Sequence, residues 1–272
     1  MTRSFSNNIE DYPEGIVLPV DKPYRWTSAD VIRKVKYAAI RHFGKKNLKV
    51  GHAGTLDPLA TGILLVCIGP ATKQAEELQR SAKEYVAGVT FGATTPSYDL
   101  EKDIDREYPL DGVSEAALRA VLPGFVGEQD QVAPLFSAKS VDGVRAYETA
   151  RRLLREAQRA GRPFDPGDIL QSNRINIYGL ELLSWSDTVV QDVVDDGQGR
   201  IRVADVSGRQ LPTALVRVAC SKGTYIRALA RDLGEALGSG AHLYALRRTR
   251  SGGFSAEEAL RIPEALSLFE KD

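Results

Sequence analysis

GHAGTLDPLATG, residues 51–62, sets an imidazole, one carboxylate with a proline directly after it, and three glycines within twelve positions. It lies between a segment ending at Val50 and the apolar run at 63–69. Glycine permits positive φ and close backbone approach, and Pro58 turns Asp57 away from helical backbone towards extended geometry. The pattern predicts a loop that presents Asp57 and leads into a buried strand. An isolated Asp-Pro between two strands is a plain connector by default, so the weight rests on the whole string and on what accompanies it.

At 272 residues the chain can form one large domain or two modest ones, either able to bury a substantial core. Hydrophobic residues at 43% and charged residues at 26% are ordinary for a globular protein. No apolar run reaches the roughly 18 residues a membrane helix requires, so no membrane partner is expected. Residues 1–14, MTRSFSNNIEDYPE, hold no apolar stretch of a signal peptide and read as a flexible leader, with a cytoplasmic location. Cys67 and Cys220 sit in apolar segments and read as small buried hydrophobes without a disulfide. His42, His52 and His242 lie far apart with no Cys or acidic neighbour at ligand spacing, so no metal is expected. Lys222, Gly223 and Thr224 only echo a phosphate loop, whose leading glycine is absent, and no nucleotide cofactor is expected either. A formal net charge of zero argues, taken alone, against a nucleic-acid partner. That average hides local asymmetry.

Residues 15–23, GIVLPVDKP, read as a strand ending in a proline turn, and Lys22 as a solvated turn lysine. Thr27 or Ser28 caps a helix to about Phe43, with Val31, Ile32, Val35, Ala38, Ala39 and His42 on one face and Gly44 as its stop. After the Asp57 loop come a strand at 63–69, a short helix begun by Pro70, and the alternating strand KEYVAGVTFG at 83–92. A capped helix is predicted at 114–125 and strands at 174–185 and 213–221. The acidic excursion 187–210 reads as a surface hairpin of no chemical consequence, and the last clear helix runs from near Thr224 to Gly238. Between 139 and 162, Lys139, Arg145, Arg151, Arg152, Arg155, Arg159 and Arg162 stand against Asp142, Glu148 and Glu156, mostly on one helix predicted at 144–160. Such a face is either solvated or a phosphate contact.

The 51–62 string resembles, almost letter for letter, the active-site motif of the TruB family of tRNA pseudouridine synthases, whose aspartate falls at Asp57. Further blocks resemble the family in its order: VDKP at 20–23, KEYVAGVTFG at 83–92, PLFSAKSVDGVRAYETAR at 134–151, CSKGTYIRALARDLG at 220–234 and GAHLYALRRT at 240–249. The resemblance implies an α/β (α+β) pseudouridine synthase catalytic fold at 15–272, a central mixed sheet flanked by helices, with an RNA-binding thumb inserted at 134–168. It implies no C-terminal PUA-type domain, since IPEALSLFEKD is too short to be one. The implied reaction is isomerisation of the T-loop uridine at position 55 of tRNA by base flipping, with no cofactor, by a monomer that grips the T-stem and loop.

By the same resemblance Asp57 is the reacting carboxylate, which either attacks carbon or removes a ribose proton. Arg227 partners it, because burial disfavours a carboxylate's charged form unless a cation compensates. Lys22 lies near the active site, and Tyr85 stacks on the target base, although a core aromatic is the alternative. Tyr225 and Leu246 line the pocket, His52 holds the RNA loop opened by the flipped nucleotide, and Arg151 and Arg152 contact RNA from the thumb. Asp99 is taken as the second aspartate, although TTPSYD at 94–99 departs from the family's TDT pattern and leaves its role open. Two rivals remain: a tRNA-binding or folding protein whose catalysis is secondary, and a glycoside-type hydrolase using Asp57. The latter needs a second carboxylate, and none shares the Asp57 loop.

Overall fold

A computed structural model describes residues 4–134, 140–141, 144–145, 156, 159, 172–188, 201–206 and 208–270. In chain order its elements are β1 (Ile16–Lys22), α1 (Ser28–Phe43), β2 (Val50–His52), β3 (Ala60–Ile68), α2 (Ala75–Arg80), β4 (Lys83–Phe91), β5 (Ala93–Thr94), β6 (Arg106–Glu107), α3 (Glu115–Val121) and β7 (Gly127–Val132). There follow β8 (Ser140–Val141), β9 (Val144–Arg145), β10 (Ser172–Ser186), β11 (Thr213–Cys220), α4 (Ile226–Ala236), β12 (Ala241–Ser251), β13 (Phe254–Ser255) and α5 (Ile262–Ser267). The chain divides into two compact units, and β4 and β12 contribute residues to both. Among the described residues no helix is long and apolar enough to cross a membrane.

The first unit takes in the described residues of 1–86, 192–202 and 246–272. Its strand order is β1-β3-β12-β4, with β2 beside β3 and β13 beside β12. β1 pairs antiparallel with β3, Ile16 opposite Ile68 through Lys22 opposite Gly62, while β12 pairs parallel with β3, Leu246 opposite Ala60. The sheet is therefore mixed. β3 is buried on both faces, which is why its sequence is a continuous apolar run. Leu64, Val66 and Ile68 meet Val31, Val35 and Ala39 of α1 and Ala265 of α5, while Ile63, Leu65 and Cys67 join Ala53, Ala71 and Ala256 on the other side. The strand begins at Ala60, three residues before the apolar run, because the parallel pairing with β12 recruits 60–62.

α1 follows its local signals. Thr27 and Asp30 form a reciprocal capping box, and Gly44 ends the helix at φ +62°. Residues 1–14, expected as a flexible leader, are instead packed from Phe5 onward. The Phe5 amide donates to the Leu268 carbonyl at 2.9 Å, Ile9 is buried, and the Phe5 ring meets Tyr12 and Phe269. His42 ties this segment down, its ring nitrogens 2.9 Å from the carbonyls of Ser6 and Phe269. The polar letters of the leader conceal three apolar side chains that find a place beside α1 and α5.

The second unit takes in the described residues of 87–191 and 203–245. Its strand order is β4-β11-β10-β7, in which β10 pairs antiparallel with both β11 and β7. The helix predicted at 144–160 starts later than expected, since Val144 and Arg145 pair in a short hairpin with Ser140 and Val141; beyond them Glu156 and Arg159 are helical and the rest lie outside the described residues. Of the excursion 187–210, expected as a surface hairpin, residues 189–200 and 207 lie outside the described residues. Its described part contains no strand, Ala204 and Val206 are buried, and the Ala204 amide donates to the Leu100 carbonyl at 2.8 Å. The apolar letters within RVADV decide this, since burying them outweighs the polar flanks.

Gly62 sits at φ +99°, and a Cβ there would lie 2.2 Å from the Arg248 carbonyl oxygen. Gly51 has open space around its Cβ position. Gly62→Ala should therefore cost about 2–4 kcal/mol in urea unfolding, against about 0.5 kcal/mol or less for Gly51→Ala. Equal losses would remove the close strand approach from the account of the loop.

Candidate active site

The Asp57 loop is braced along its length from within the first unit. At its entry, Ser28 Oγ on the first turn of α1 accepts from the Leu56 amide at 2.9 Å and donates to the Leu56 carbonyl at 3.2 Å. At its tip, the Ala60 amide donates to the Asp57 carbonyl at 3.1 Å, closing a turn with Asp57 first and Pro58 second, the positions those residues favour. At its exit, Asp21 accepts from the Gly62 amide at 3.1 Å and holds Arg247 with two hydrogen bonds of 3.1 and 2.9 Å. Arg248 spans the loop: its guanidinium is fully buried and donates to the carbonyls of Ile63 at 2.8 Å and Gly54 at 3.2 Å. Asp57 itself is half-buried.

Lys22 is the second buried cation of this unit, with no solvent exposure, which rules out the solvated turn lysine. Its ammonium donates to the carbonyls of Trp26 at 2.5 Å, Pro23 at 3.0 Å and Pro58 at 3.2 Å. Three donors meet three acceptors, and one acceptor is the peptide next to Asp57. Burial pulls the Lys22 pKa down to about 7, while the Asp57 carboxylate pulls it back up.

Three more of the expected residues lie in the same unit. His52 is half-buried on β2, opposite Val66, and burial together with the Arg248 charge lowers its pKa. Its Nδ1 is buried and has no hydrogen-bond partner among the described residues. Tyr85 and Leu246 are both half-buried and pack on the apolar cluster that contains Leu56 and Ala60 of the loop. The unit therefore brings Lys22, His52, Asp57, Tyr85 and Leu246 to one braced loop. A carboxylate so held can attack an electrophilic carbon or take a proton without first paying to be ordered.

Arg227, Tyr225 and Asp99 belong to the second unit. Arg227, on the first turn of α4, is buried; its Nε lies 3.6 Å from Asp99 Oδ2, and its Nη1 donates to the Ser97 carbonyl at 3.1 Å. Asp99 is buried too and accepts from Ser97 Oγ at 2.6 Å and the Glu101 amide at 3.0 Å. The altered TTPSYD stretch thus places an aspartate on Arg227, by a turn in which Tyr98 adopts φ +56°. Arg151 and Arg152 lie outside the described residues.

Two supporting residues escaped the sequence reading. Gln131, buried on β7, accepts from the Tyr225 amide at 2.8 Å and donates to the Tyr225 carbonyl at 3.1 Å, so its amide supplies the cap that α4 lacks in its own sequence. Nothing in the polar, alternating GEQDQV marks it. Arg248 had a signal: two arginines adjacent in one strand point to opposite faces, so one of them faces the core side of the sheet.

Comparison with known proteins agrees with this architecture. Residues 41–226 match the N-terminal domain of the TruB family pseudouridylate synthases, and residues 227–268 match a C-terminal domain of tRNA pseudouridylate synthase B. The chain is 44% identical over 252 residues to the tRNA pseudouridine synthase B of Phocaeicola vulgatus, covering 93% of this chain and 92% of that protein. It is 46% identical over 250 residues to that of Bacteroides thetaiotaomicron, covering 92% and 91%. Among solved structures, Cbf5 in a Cbf5-Nop10-Gar1 complex superposes with a TM-score of 0.60 at 27% identity, over 98% of this chain and 59% of that one. The class defined by fold and site is a pseudouridylate synthase. The chain belongs to the TruB family.

Lys22 ordinarily titrates at 10.5 and does so at about 7 in the fold. Between these values the unfolded chain binds more protons than the folded one, so through this group stability rises as pH goes from 7 to 10.5. Lys22→Met should abolish that rise, read as urea midpoints at neutral pH and about two units higher. A rise of equal size in the variant would sink the assignment.

Proposed function

We propose that the protein isomerises a uridine of tRNA to pseudouridine, with the T-loop uridine at position 55 as its target and the T-stem and loop as the part of the RNA it grips. The observation that carries the reading is the braced Asp57 loop, a single carboxylate on a backbone whose carbonyls are held by two buried cations, in a chain of the TruB family. Its relatives are named for the same activity.

In this reading the RNA base leaves its stack, which costs a few kcal/mol, and a stacked aromatic returns roughly 1 to 3 kcal/mol. Tyr85 supplies the stack, Tyr225 and Leu246 the walls, and His52 fills the gap left in the RNA loop. The N1 to C1′ bond breaks, the base turns, and C5 joins C1′; the C5 proton is lost and a proton is gained at N1. Atoms balance without an oxidant or a second substrate. Asp57 is the catalytic residue and Arg227 its cation, with Asp99 beside the guanidinium. The basic stretch 139–162 contacts phosphates. The reading as a tRNA-folding protein predicts binding without turnover, which separates it.

Purified protein given tRNA transcript labelled with tritium at uridine C5, and no added cofactor, should release one tritium per tRNA. No release would sink the proposal. Asp57→Asn should lower release by more than about a thousandfold while tRNA affinity stays within a few fold, since it removes the reacting group and little contact surface. Arg227→Ala should cost more than Arg227→Lys in kcat, because lysine keeps the charge and loses the planar fork; equal losses would deny the charge alone any role, and a lysine variant as fast as wild type would deny the fork one.

A further inference from the structure

A chain of zero net charge keeps an uneven surface. Between residues 28 and 49 stand Arg33, Lys34, Lys36, Arg41, Lys45, Lys46 and Lys49 against Asp30 alone. All seven are exposed. Arg33 pairs with Asp30 and Lys45 with Glu10, each at 2.8 Å, whereas Lys34 and Arg41 form no ion pair among the described residues. At about 100° per residue, Arg33, Lys34, Tyr37 and Arg41 share one sector of α1. Tyr37 is 65% exposed on a helix whose other face is core, and the Arg41 guanidinium stands 5.6 Å from its ring centroid. At the N-terminal end of this face opens a cavity of about 490 Å³ lined by Trp26, Arg33, Lys34 and Tyr37, with Arg25, Asp30 and Ile201.

This face begins at the Asp57 loop. Ser28 bonds both backbone groups of Leu56, and the Trp26 carbonyl shares the Lys22 ammonium with the Pro58 carbonyl. From Ser28 to Arg41 the helix runs about 20 Å, the span of several nucleotides. Cations spaced along a helix with aromatic rings between them match a strand whose phosphates and bases alternate. An acidic protein would use the charge and leave the rings idle. We infer that the face of α1 from Trp26 to Arg41 is a second RNA surface, which holds phosphates of the substrate strand leading away from the Asp57 site, with a base or ribose set against Tyr37. The inference rests on the tRNA reading and deepens it by adding a contact outside both the flipped nucleotide and the 139–162 stretch.

The test compares full-length wild type with the double variant Lys34→Gln, Arg41→Gln and with Tyr37→Ala, using an unmodified tRNA transcript. All three positions are exposed, so thermal melting should match wild type. In the double variant the slope of log affinity against log salt should flatten by about 1.5, at 0.7 to 0.9 per lost phosphate contact, and affinity near 0.1 M salt should fall roughly tenfold. Tyr37→Ala should weaken binding and leave the slope alone. Tritium release at saturating tRNA should be unchanged in all. Wild-type slope and affinity in the double variant overturn the inference. If the wild-type protein releases no tritium, the catalytic reading fails by itself, and the slopes still decide whether this face holds RNA.

Discussion

Everything at the Asp57 loop depends on two cations that have been taken out of water. Lys22 and Arg248 are both fully buried, and between them they bond the carbonyls of Gly54, Pro58 and Ile63. Removing one partner of a buried, hydrogen-bonded charge costs about 3–5 kcal/mol, far more than a surface pair contributes. The backbone here is therefore clamped by groups that cannot leave without exposing unsatisfied carbonyls. That explains why an apparently flexible, glycine-bearing loop can serve as a rigid mount: its glycines allow close approach, and the approach is what brings carbonyls within reach of the cations.

The second unit uses a different device. Arg227 is aimed by a neutral amide and a carboxylate acting on its neighbours: Gln131 fixes the Tyr225 backbone at the head of α4, and Asp99 holds the guanidinium from the side. Asp99 in turn is satisfied by Ser97 and the Glu101 amide, so the pair leaves no buried acceptor unspent.

The sequence was most legible where signals are local. The capping box at Thr27, the stop at Gly44, the strand at 16–22 and the two-sided apolar run of β3 each follow from a few adjacent letters. Asp57 was legible because its whole loop is a contiguous string. What could not be read was any contact made at long range by a polar side chain. Lys22 looks like a turn lysine until Trp26 and Pro58 close around it, and Gln131 lies 94 residues from the backbone it caps. The packing of the leader and of Ala204 and Val206 was hidden for a related reason: a few apolar side chains decide burial, and averaged composition dilutes them.

The junction at His42 has a topological meaning. One imidazole, in the last turn of α1, bridges the carbonyls of Ser6 and Phe269, so two segments 263 positions apart in sequence meet at a single ring. The described polypeptide is closed, by contact and not by covalent bond, into a loop. A chain so closed can be opened elsewhere: joining those two segments by a short linker and cutting at an exposed turn would preserve every strand pairing, as circular permutation requires. The identity of the first residue is then an accident of synthesis, and the ring of segments around α1 and α5 is what the fold conserves.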